Sequence, residues 1–426
     1  MSIGKIYKKF LESSGIVIDS RKVYDNCMFF ALKGPNFNGN EFAKEALNKG
    51  ALCCIVDEKK YIENDDYIHV NNSLKILQNL ANFHRKKLKT KIIGITGSNG
   101  KTTTKELINC VLSEKFKTSC TEGNLNNHIG VPISLLKIEN DCEIAIIEMG
   151  ANHKGEIALL SSIMQPDFGY ITNFGRAHIE GFGSEEDIIK GKCELYDFLK
   201  TNNGLIFYNH DDAIQNKHLA NHSKKYSYGK NEGDIKYLTK SYIEQIVLDI
   251  KKKEINSSLF GKYNIENVMA AISIGYYFGI NLESIGMGVK KYKSINNRSQ
   301  IIKKEKNTII LDAYNANPTS MMSGLKYLDK IKSKNKVLVL GDMHELGTDE
   351  VKYHQEIIDY CKTIETKKIF LIGDIFSQTK FSKKTLLFKS TDELIKSKKL
   401  KEITDSVFFI KGSRGIKLEE IINYIS

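Results

Sequence analysis

The chain has 426 residues, of which 41% are hydrophobic and 27% charged, and this composition predicts a soluble globular protein of two or three domains. The N-terminal lysines are not followed by the apolar run of a secretory signal, and no apolar stretch approaches the ~20 residues that a membrane helix needs. The eight cysteines lack metal-binding spacing. We therefore expect a cytoplasmic protein with reduced thiols and no membrane insertion. The net charge of +12 comes almost entirely from lysines with no aromatic residues interleaved, which indicates a solvated surface and no nucleic-acid partner.

The N-terminal segment predicts a small α/β unit. "CMFFALKG" indicates a strand that runs into a turn, "NEFAKEALNKGA" a helix closed by Gly50, and "LCCIV" a second strand. "LKILQNLANFHRKKLKTK" has the periodicity of a helix that leads out of this unit. We therefore place the first domain at residues 1–82.

The next segment alternates short apolar strands with amphipathic helices. The strands are "KIIGIT", "CEIAIIEMG", "FGYITNF" and "NGLIFYN", and the helices include "KTTTKELINCVLSEK", "KGEIALLSSIM" and "SEEDIIKGKCELYDFLK". Such alternation predicts a mainly parallel sheet with helices on both faces. A helix lined with small residues, in "LFGKYNIENVMAAISIGYYFGI", precedes the end of this second domain, which we place at residues 83–297.

A second alternating series follows "KSINNRSQ", which has the composition of a linker. It comprises "NTIILDAY", "SMMSGLKYLDKI", "KVLVLGD", "EVKYHQEIIDYCK", "KKIFLIGD", "SVFFIKG" and "IKLEEIINYIS". This series predicts a complete nucleotide-binding-like α/β domain at residues 298–426.

The stretch "GITGSNGKTTTKELI", from Gly94 to Ile108, places a glycine turn and Lys-Thr between a strand and a helix. In such a turn, backbone N–H groups and the helix N-terminus bind phosphate oxygens, the lysine meets the β- and γ-phosphates, and the hydroxyl binds Mg²⁺. The loop is two residues shorter than the regular phosphate loop, because Ile95 stands where that loop has its first glycine. The predicted ATP-binding residues are Gly97, Ser98, Asn99, Gly100, Lys101, Thr102 and Thr103.

Polar residues also follow the strands next to this loop in the sequence. Glu148 ends the buried strand in "IAIIEMG", and His178 follows the next strand in "ITNFGRAHIEGFG". A glutamate or histidine at a strand end often caps a helix or serves a structural purpose. Phosphoryl transfer, however, needs acidic metal ligands at such strand ends, so Glu148 is a candidate Mg²⁺ ligand. Lys192 and Glu194 lie on the helix after His178.

Taken in order, "GITGSNGKTTTKE", "GNLNNHIGVP", "IIEMGANHKGEI", "ITNFGRAHIEGFGS", "KYNIENVMAA", "LDAYNANP", "VLGDMHELG" and "KGSRG" resemble the Mur ligase family. "DSRKVYDNCMFFALKGPNFNGNEF" is similar to its uridine-nucleotide domain, and the family's loop has this shortened form. The resemblance covers nearly the whole chain. It implies a small N-terminal uridine-nucleotide-binding α/β domain, a central P-loop ATPase domain with a mainly parallel sheet, and a C-terminal Rossmann-like α/β domain.

The resemblance implies ATP-driven amide ligation in cytoplasmic peptidoglycan precursor synthesis. In this family a substrate carboxylate attacks the γ-phosphate to give an acyl phosphate and ADP, and an amine then attacks the acyl carbonyl. The chain is most similar to the branch that adds D-alanyl-D-alanine to UDP-N-acetylmuramoyl-tripeptide. The implied ligands are these two substrates, ATP and two Mg²⁺ ions, and we expect a monomer.

The resemblance also implies roles around the γ-phosphate. Thr102 and Glu148 hold one Mg²⁺ and His178 serves the second, while Lys101 offsets the repulsion between carboxylate and phosphate. Lys192 lies in "KGKCELY", which resembles the segment where Mur ligases carry a carbamylated lysine. A carbamate is an anion that suits a hard cation, so we predict that Lys192 is carbamylated and helps to hold the metal.

Further residues match nucleotide or substrate positions of the family. The adenine-side matches are Asn264 and Asn267, and Arg298 and Asp312 would reach ATP on domain closure. The substrate matches are Ser20 and Arg21 for the uridine diphosphate, Asn126 and Asn127 in the central domain, and Tyr314, Asn315 and Asn317 in "YNANP".

Three positions depart from the family's pattern. "NGN" at residues 38–40 replaces "DGH", His128 stands where Glu is expected, and Arg176 stands where Pro is expected.

"YNANP" favours the D-alanyl-D-alanine branch, because the chain lacks the Asn-Pro-Arg motif of the diaminopimelate-adding ligase and the Ala-His-Asn-Pro motif of folylpolyglutamate synthase.

Three alternatives stay open at this point. Another Mur-type ligase, such as folylpolyglutamate synthase, would use a different amine. A basic nucleic-acid-binding NTPase would show ATP turnover that nucleic acid stimulates and salt suppresses. A non-catalytic scaffold of this fold would not need the intact Lys101, Glu148 and His178.

Overall fold

The computed structural model describes residues 2–294, 297–333 and 335–426. The N-terminal region is built on a small parallel sheet and a two-stranded hairpin. Its strands are β1 Ile16–Val17, β2 Met28–Phe30, β3 Lys33–Gly34, β4 Phe37–Asn38, β5 Cys53–Val56 and β6 Tyr67–His69, and its helices are α1 Ile3–Glu12, α2 Ala43–Asn48 and α3 Ser73–Lys87. The parallel sheet has the order β1-β2-β5-β6, and β3 pairs with β4. The residues of the parallel strands are mostly buried, as expected for a parallel sheet covered on both faces.

Helix α3 joins this region to the central one. Its apolar side belongs to a hydrophobic core that includes both the N-terminal sheet and helices of the central region. On its polar side, Gln78 Nε2 donates to the His128 carbonyl over 3.1 Å, and Arg85 forms an ion pair of 2.8 Å with Asp167. Residue 82, our predicted domain boundary, lies within this helix.

The central region contains a seven-stranded, wholly parallel sheet. Its strands are β7 Lys91–Thr96, β8 Thr118–Cys120, β9 Ile144–Glu148, β10 Phe168–Ile171, β11 Leu205–Asn209, β12 Lys225–Gly229 and β13 Ile235–Lys236. The order is β13-β12-β11-β10-β7-β9-β8. Strand β7 therefore lies between β9 and β10, and the loops after these three strands meet at one edge of the sheet, where α/β proteins bind ligands.

Helices cover both faces of this sheet, because each helix has an apolar side to bury. They are α4 Lys101–Leu112, α5 Gly130–Leu136, α6 Glu156–Met164, α7 Ile179–Phe182, α8 Glu185–Thr201, α9 Ala213–Leu219, α10 Ile265–Tyr277 and α11 Leu282–Lys291. Ser184 caps α8 by accepting a hydrogen bond from the Asp187 N–H. An antiparallel sheet that the sequence pattern did not indicate follows β13, with strands β14 Leu238–Ser241, β15 Ile246–Ile250 and β16 Lys253–Ser257.

The C-terminal region forms a six-stranded sheet. Its strands are β17 Gln300–Lys303, β18 Thr308–Asp312, β19 Lys336–Gly341, β20 Lys368–Ile372, β21 Thr385–Phe388 and β22 Val407–Lys411, and its helices are α12 Pro318–Lys330, α13 Glu350–Cys361 and α14 Thr391–Lys396. The order is β17-β18-β22-β19-β20-β21, with only β17 antiparallel. The chain ends in a 3₁₀ helix, Leu418–Tyr424.

The expected three-part α/β architecture is therefore the one observed. Residue 298, our second predicted boundary, precedes β17, and residues 295 and 296 of the predicted linker lie outside the described residues. Among the helices that the structure describes, none is long and apolar enough to cross a membrane.

His84 supplies a pH-dependent contribution to this fold. It is 4% exposed, its Nε2 lies 3.1 Å from the Ile138 carbonyl, and its Nδ1 lies 3.2 Å from the Tyr7 hydroxyl. Burial lowers the pKa of His84. The imidazole of His84 therefore binds a proton more tightly in the unfolded chain than in the folded one. The contribution of His84 to the free energy of unfolding is complete above about pH 6.5 and is lost progressively as the pH falls below that value.

We expect His84→Gln to lower stability by about 1 kcal/mol at pH 8, because one buried hydrogen bond is weakened. When the pH is lowered from about 8 to about 5.5, the thermal midpoint should fall less in this variant than in the wild type, since glutamine does not titrate. His153→Gln is the matched control, because the His153 side chain is 64% exposed. An equal pH dependence in wild type and His84→Gln would contradict this role.

Candidate active site

The turn between β7 and α4 has a backbone conformation that glycine favours. Gly97 has φ +139° and Gly100 has φ +79°. A Cβ at Gly97 would lie 2.0 Å from Thr172 Oγ1, and one at Gly100 would lie 2.5 Å from Asn267 Oδ1. Both positions therefore exclude larger residues. Helix α4 begins at Lys101, directly after the turn, so the free N–H groups of its first residues face the turn.

The end of β10 holds this turn in place. Asn99 donates its backbone N–H to Asn173 Oδ1 over 3.1 Å. The Asn99 carbonyl accepts from Thr172 Oγ1 at 2.6 Å and from Asn173 Nδ2 at 3.0 Å. Our sequence reasoning did not single out Asn173, although an amide directly after a buried strand, in "ITNFG", is the signal that could have revealed it.

Lys101 lies against the same turn. Its Nζ donates to the Gly97 carbonyl over 2.8 Å and to the Ser98 carbonyl over 3.2 Å. Burial is the main cause that lowers the pKa of Lys101; Glu148 partly opposes this effect and Arg298 adds to it. The cations Lys101 and Arg298 thus lie near each other at one end of the site, and this arrangement favours a bound polyanion.

Glu148, at the end of β9, is 1% exposed. Asn126 Nδ2 donates to its Oε1 over 2.7 Å, and its backbone N–H donates to Thr121 Oγ1 over 2.9 Å. Its Oε2 is buried without a hydrogen-bond partner. An unpartnered buried carboxylate oxygen is costly, and with the Thr102 hydroxyl at the start of α4 it fits a hard divalent cation.

The protein ligands for such a cation would be few. Among the described residues, no group of three or more His, Cys, Asp or Glu side chains is arranged to hold a metal ion. Mg²⁺ commonly binds with one or two carboxylates and completes its shell with phosphate oxygens and water. The residues present therefore fit Mg²⁺ better than a metal that needs a complete protein cage.

His178 links the central region to the C-terminal one. It caps α7 in the left-handed conformation, with φ +55°, and its Nδ1 pairs with the Glu345 carboxylate. Burial, with a contribution from Lys101, lowers the pKa of His178, so the neutral ring predominates near pH 7. In the tautomer that donates from Nδ1 to the carboxylate, Nε2 keeps a lone pair for a ligand.

Lys192 is a buried amine on α8 and is 1% exposed. Its Nζ donates to the Ala151 carbonyl over 3.2 Å and lies 4.9 Å from the centre of the Phe182 ring. Burial, reinforced by Lys101, lowers the pKa of Lys192 to about 7. A large fraction of this side chain is therefore the neutral amine at pH 7, which is the form that reacts with CO₂.

The C-terminal region closes the site from the opposite side. Asn317 Nδ2 donates to Asn99 Oδ1 of the phosphate loop over 2.7 Å. The Arg298 guanidinium lies 3.5 Å from the centre of the Tyr314 ring. Asp312 pairs with Lys411 at 2.5 Å. The Asn317 contact brings the C-terminal region against the turn after β7, and the other two contacts position Arg298 and Asp312 within the C-terminal region.

The resulting cleft has a volume of about 1100 Å³. Most of the sequence-predicted site residues line it. They are Ser98, Asn99, Gly100, Lys101, Thr102, Thr103, Asn126, Asn127, Glu148, His178, Asn264, Asn267, Arg298, Asp312, Tyr314, Asn315 and Asn317. Gly97 and Lys192 lie outside this lining but contact residues within it.

Ser20 and Arg21 lie apart from this cleft, in the N-terminal region. They belong to the 3₁₀ helix Ser20–Lys22, and the Arg21 side chain is 85% exposed and pairs with Asp19 at 2.9 Å. An exposed guanidinium has donors left for a further anion.

Several lining residues also have a structural task. Asn264 Oδ1 accepts from Asn267 Nδ2 over 2.9 Å, and Asn267 Oδ1 accepts from the Thr104 hydroxyl over 3.0 Å. This buried network ties α10 to α4. Asn317 Oδ1 caps α12 by accepting from the Ser320 N–H. Their predicted contacts with ligands would be additional to these bonds.

Two of the departures from the family pattern have visible surroundings here. Asn40, in place of histidine, is 1% exposed, donates to Asp57 Oδ1 over 2.9 Å and accepts from the Asp57 N–H over 3.0 Å. It therefore joins the loop after β4 to the end of β5. His128 lines the cleft, and its carbonyl accepts the bond from α3.

The fold and this site define a nucleotide-phosphate-binding α/β protein of the P-loop type. Three family models match the chain in succession: "Mur ligase family, catalytic domain" at residues 12–91, "Mur ligase middle domain" at 95–275 and "Mur ligase, glutamate ligase domain" at 297–414. The chain belongs to the Mur ligase family, which confirms the resemblance drawn from its motifs.

Individual relatives match over nearly the full length. The UDP-N-acetylmuramoyl-tripeptide–D-alanyl-D-alanine ligase of Bacillus subtilis (strain 168) is 36% identical over 423 residues, covering 96% of this chain and 92% of the relative. A MurF crystal structure from Acinetobacter baumannii has a TM-score of 0.87 at 27% identity and covers 99% and 98% of the two chains. MurF ligase from Thermotoga maritima in complex with ADP has a TM-score of 0.87 at 26% identity and covers 97% of each.

Folylpolyglutamate synthase, the alternative considered above, is a more distant neighbour. The structure from Thermotoga maritima is 15% identical, with a TM-score of 0.62, and covers 82% of this chain and 92% of its own. At this identity the likeness extends to the fold alone.

We expect Gly100→Ala to weaken ADP binding about tenfold or more, because the new Cβ meets Asn267 Oδ1 and the left-handed backbone becomes strained. Isothermal titration calorimetry measures this affinity. Gly279→Ala is the matched control: its φ is +71°, but the nearest atom to a new Cβ is Lys115 Nζ at 3.4 Å. The control should lose stability and keep its affinity, whereas equal affinity in wild type and Gly100→Ala would refute the assigned phosphate turn.

Proposed function

We propose that the protein is an ATP-dependent, ADP-forming ligase that joins D-alanyl-D-alanine to UDP-N-acetylmuramoyl-tripeptide in peptidoglycan precursor synthesis. One observation carries the proposal: a single cleft is lined at once by the phosphate turn, by Asn126 and Asn127 of the central region, and by residues of "YNANP". A ligase of this kind must hold a nucleotide, a carboxylate and an amine within reach of one another. The names of the full-length relatives support the same reaction.

The first chemical demand is to bring a carboxylate to the γ-phosphate, although both are anions. The α4 N-terminus and the N–H groups of the turn supply fixed positive dipoles, and Lys101 and Arg298 supply full charges. Such preorganised charge is most effective where water is excluded. Contact of Asn317 with Asn99 brings the C-terminal region over this end of the cleft, which would protect an acyl phosphate from hydrolysis.

We propose the metal ligands from the family resemblance. Thr102 and Glu148 would hold one Mg²⁺, and His178 and a carbamylated Lys192 would serve the second. When bound, Mg²⁺ neutralises phosphate charge in the transferring group. Glu148 is fixed for this task by Asn126, and His178 by Glu345.

The remaining assignments concern the two organic substrates. Ser20 and Arg21 would bind the uridine diphosphate at the N-terminal region, while Asn126 and Asn127 face the peptide part. Tyr314, Asn315 and Asn317 would receive D-alanyl-D-alanine, and Asn264 and Asn267 the adenine side of ATP. The cleft is lined by residues of one chain and needs no second subunit, so we propose an enzyme that acts as a monomer, and we place it in the cytoplasm with the precursor synthesis it would serve.

We expect phosphate release from ATP to require both UDP-N-acetylmuramoyl-tripeptide and D-alanyl-D-alanine. The mass of the product should equal the summed masses of these two substrates minus one water. Tripeptides ending in lysine and in diaminopimelate should both be tried. Glutamate or free diaminopimelate as the amine should give no product. Lys101→Ala is the inactive control and should still bind the UDP-substrate. Product formation with glutamate, or turnover that DNA or RNA stimulates, would refute the proposed reaction.

For Lys192 we predict that Lys192→Ala loses nearly all ligation and that acetate or another short carboxylate restores part of it, because the added anion replaces a carbamate. Intact-mass and ¹³C NMR measurements on wild type in ¹³C-bicarbonate provide a second readout that does not depend on activity. Lys190→Ala, on the exposed side of the same helix, is the control and should need no rescue. Wild-type activity in Lys192→Ala without carboxylate would exclude the role.

A further inference from the structure

Arg176 connects the central and C-terminal regions outside the cleft. It lies in the loop between β10 and α7, and its backbone N–H donates to Thr319 Oγ1 at the start of α12 over 2.9 Å. Its guanidinium pairs with Glu185 of α8 at 2.7 Å and reaches Glu356 of α13 at 3.5 Å. It also lies 5.6 Å from the centre of the Tyr353 ring, again on α13.

The side chain of Arg176 is separate from the reacting groups. Its neighbour Gly175 and the nearby His178 line the cleft, whereas Arg176 is not part of the lining. A Cβ at Gly175 would lie 3.1 Å from Thr319 Cγ2, which shows how closely this loop packs on α12. Arg176 therefore turns away from the cleft at the point where the two regions meet.

The contacts of Arg176 divide unequally between the two regions. Glu185 belongs to the central region, as Arg176 does, so this pair orients the guanidinium before any closure. Thr319, Tyr353 and Glu356 belong to the C-terminal region and are reached only when the two regions are in contact. The planar guanidinium suits this division because one fork can meet two carboxylates while its face lies near an aromatic ring.

The energetic effect of these contacts depends on what they join. Arg176, Glu185 and Glu356 are 39%, 55% and 43% exposed, and exposed ion pairs contribute little to the stability of a single domain. A contact made only in the closed arrangement nevertheless shifts the equilibrium between open and closed by its full differential free energy.

We propose that Arg176 is a positioning residue that latches the C-terminal region onto the central region, so that Arg298 and Asn317 lie over the phosphate turn during the reaction. The latch works through α12 and α13 and touches no substrate. This inference rests on the proposed function for its kinetic consequence only; the closure itself can be measured without ligation.

The test compares Arg176→Gln, Glu356→Gln and the double variant with wild type. Lys154→Gln is the control, because Lys154 pairs with Asp187 at 3.0 Å within the central region. We expect each single variant to lower kcat/KM for ATP about two- to fivefold, with the larger loss in Arg176→Gln because it also loses the Tyr353 contact. The double variant should be no worse than Arg176→Gln alone, since Glu356 has already lost its partner there. Lys154→Gln should keep the wild-type value, and all variants should share its thermal midpoint.

Small-angle X-ray scattering with a non-hydrolysable ATP analogue gives the second readout. The radius of gyration should be larger in Arg176→Gln and Glu356→Gln than in wild type, and added NaCl should enlarge wild type toward the variants. Unchanged scattering in Arg176→Gln would overturn the latch, whether or not activity falls. Additive losses in the double variant would also overturn it. Scattering changes as expected, in a protein without ligase activity, would support the latch and refute the proposed function instead.

Discussion

The cleft depends on one backbone constraint, the left-handed turn at Gly97 and Gly100. This turn lies so close to Thr172 and Asn267 that no side chain fits at either glycine. The close approach allows Asn99 to be held by three hydrogen bonds from the end of β10. The start of α4 and the position of Lys101 both follow from the course of the turn.

Lys105 and Glu148 are charged groups buried near this turn, and the fold provides hydrogen-bond partners for both. Lys105, 1% exposed, donates to the Thr121 carbonyl over 2.5 Å, and the Thr121 hydroxyl accepts from the Glu148 N–H. The support for Glu148 therefore extends from α4 through β8 to β9. Against this background the unpartnered Glu148 Oε2 is a local exception, and in native proteins such exceptions commonly mark functional sites.

The sequence allowed the three-part architecture and most of the cleft to be predicted, because strand periodicity and the Lys-Thr turn are local signals. Glu148 and His178 could be placed beside Lys101 since each follows a strand in a parallel sheet. The sheet order, which puts β7 between β9 and β10, depends on pairing between distant segments. The tasks of Asn173, Glu345 and Arg176 likewise depend on contacts across the chain. The antiparallel strands β14 to β16 were missed because their short, half-polar segments carry a weak pattern.

Helix α3 has a consequence for how the molecule divides. Its apolar side is buried in a core made jointly by the first two regions, and its polar side bonds to the central region along its length. A fragment that ended at residue 82 would lose the last turn of this helix and expose apolar surface to water. Because the N-terminal and central regions share this core, we expect a cut at residue 82 to destabilise both of them.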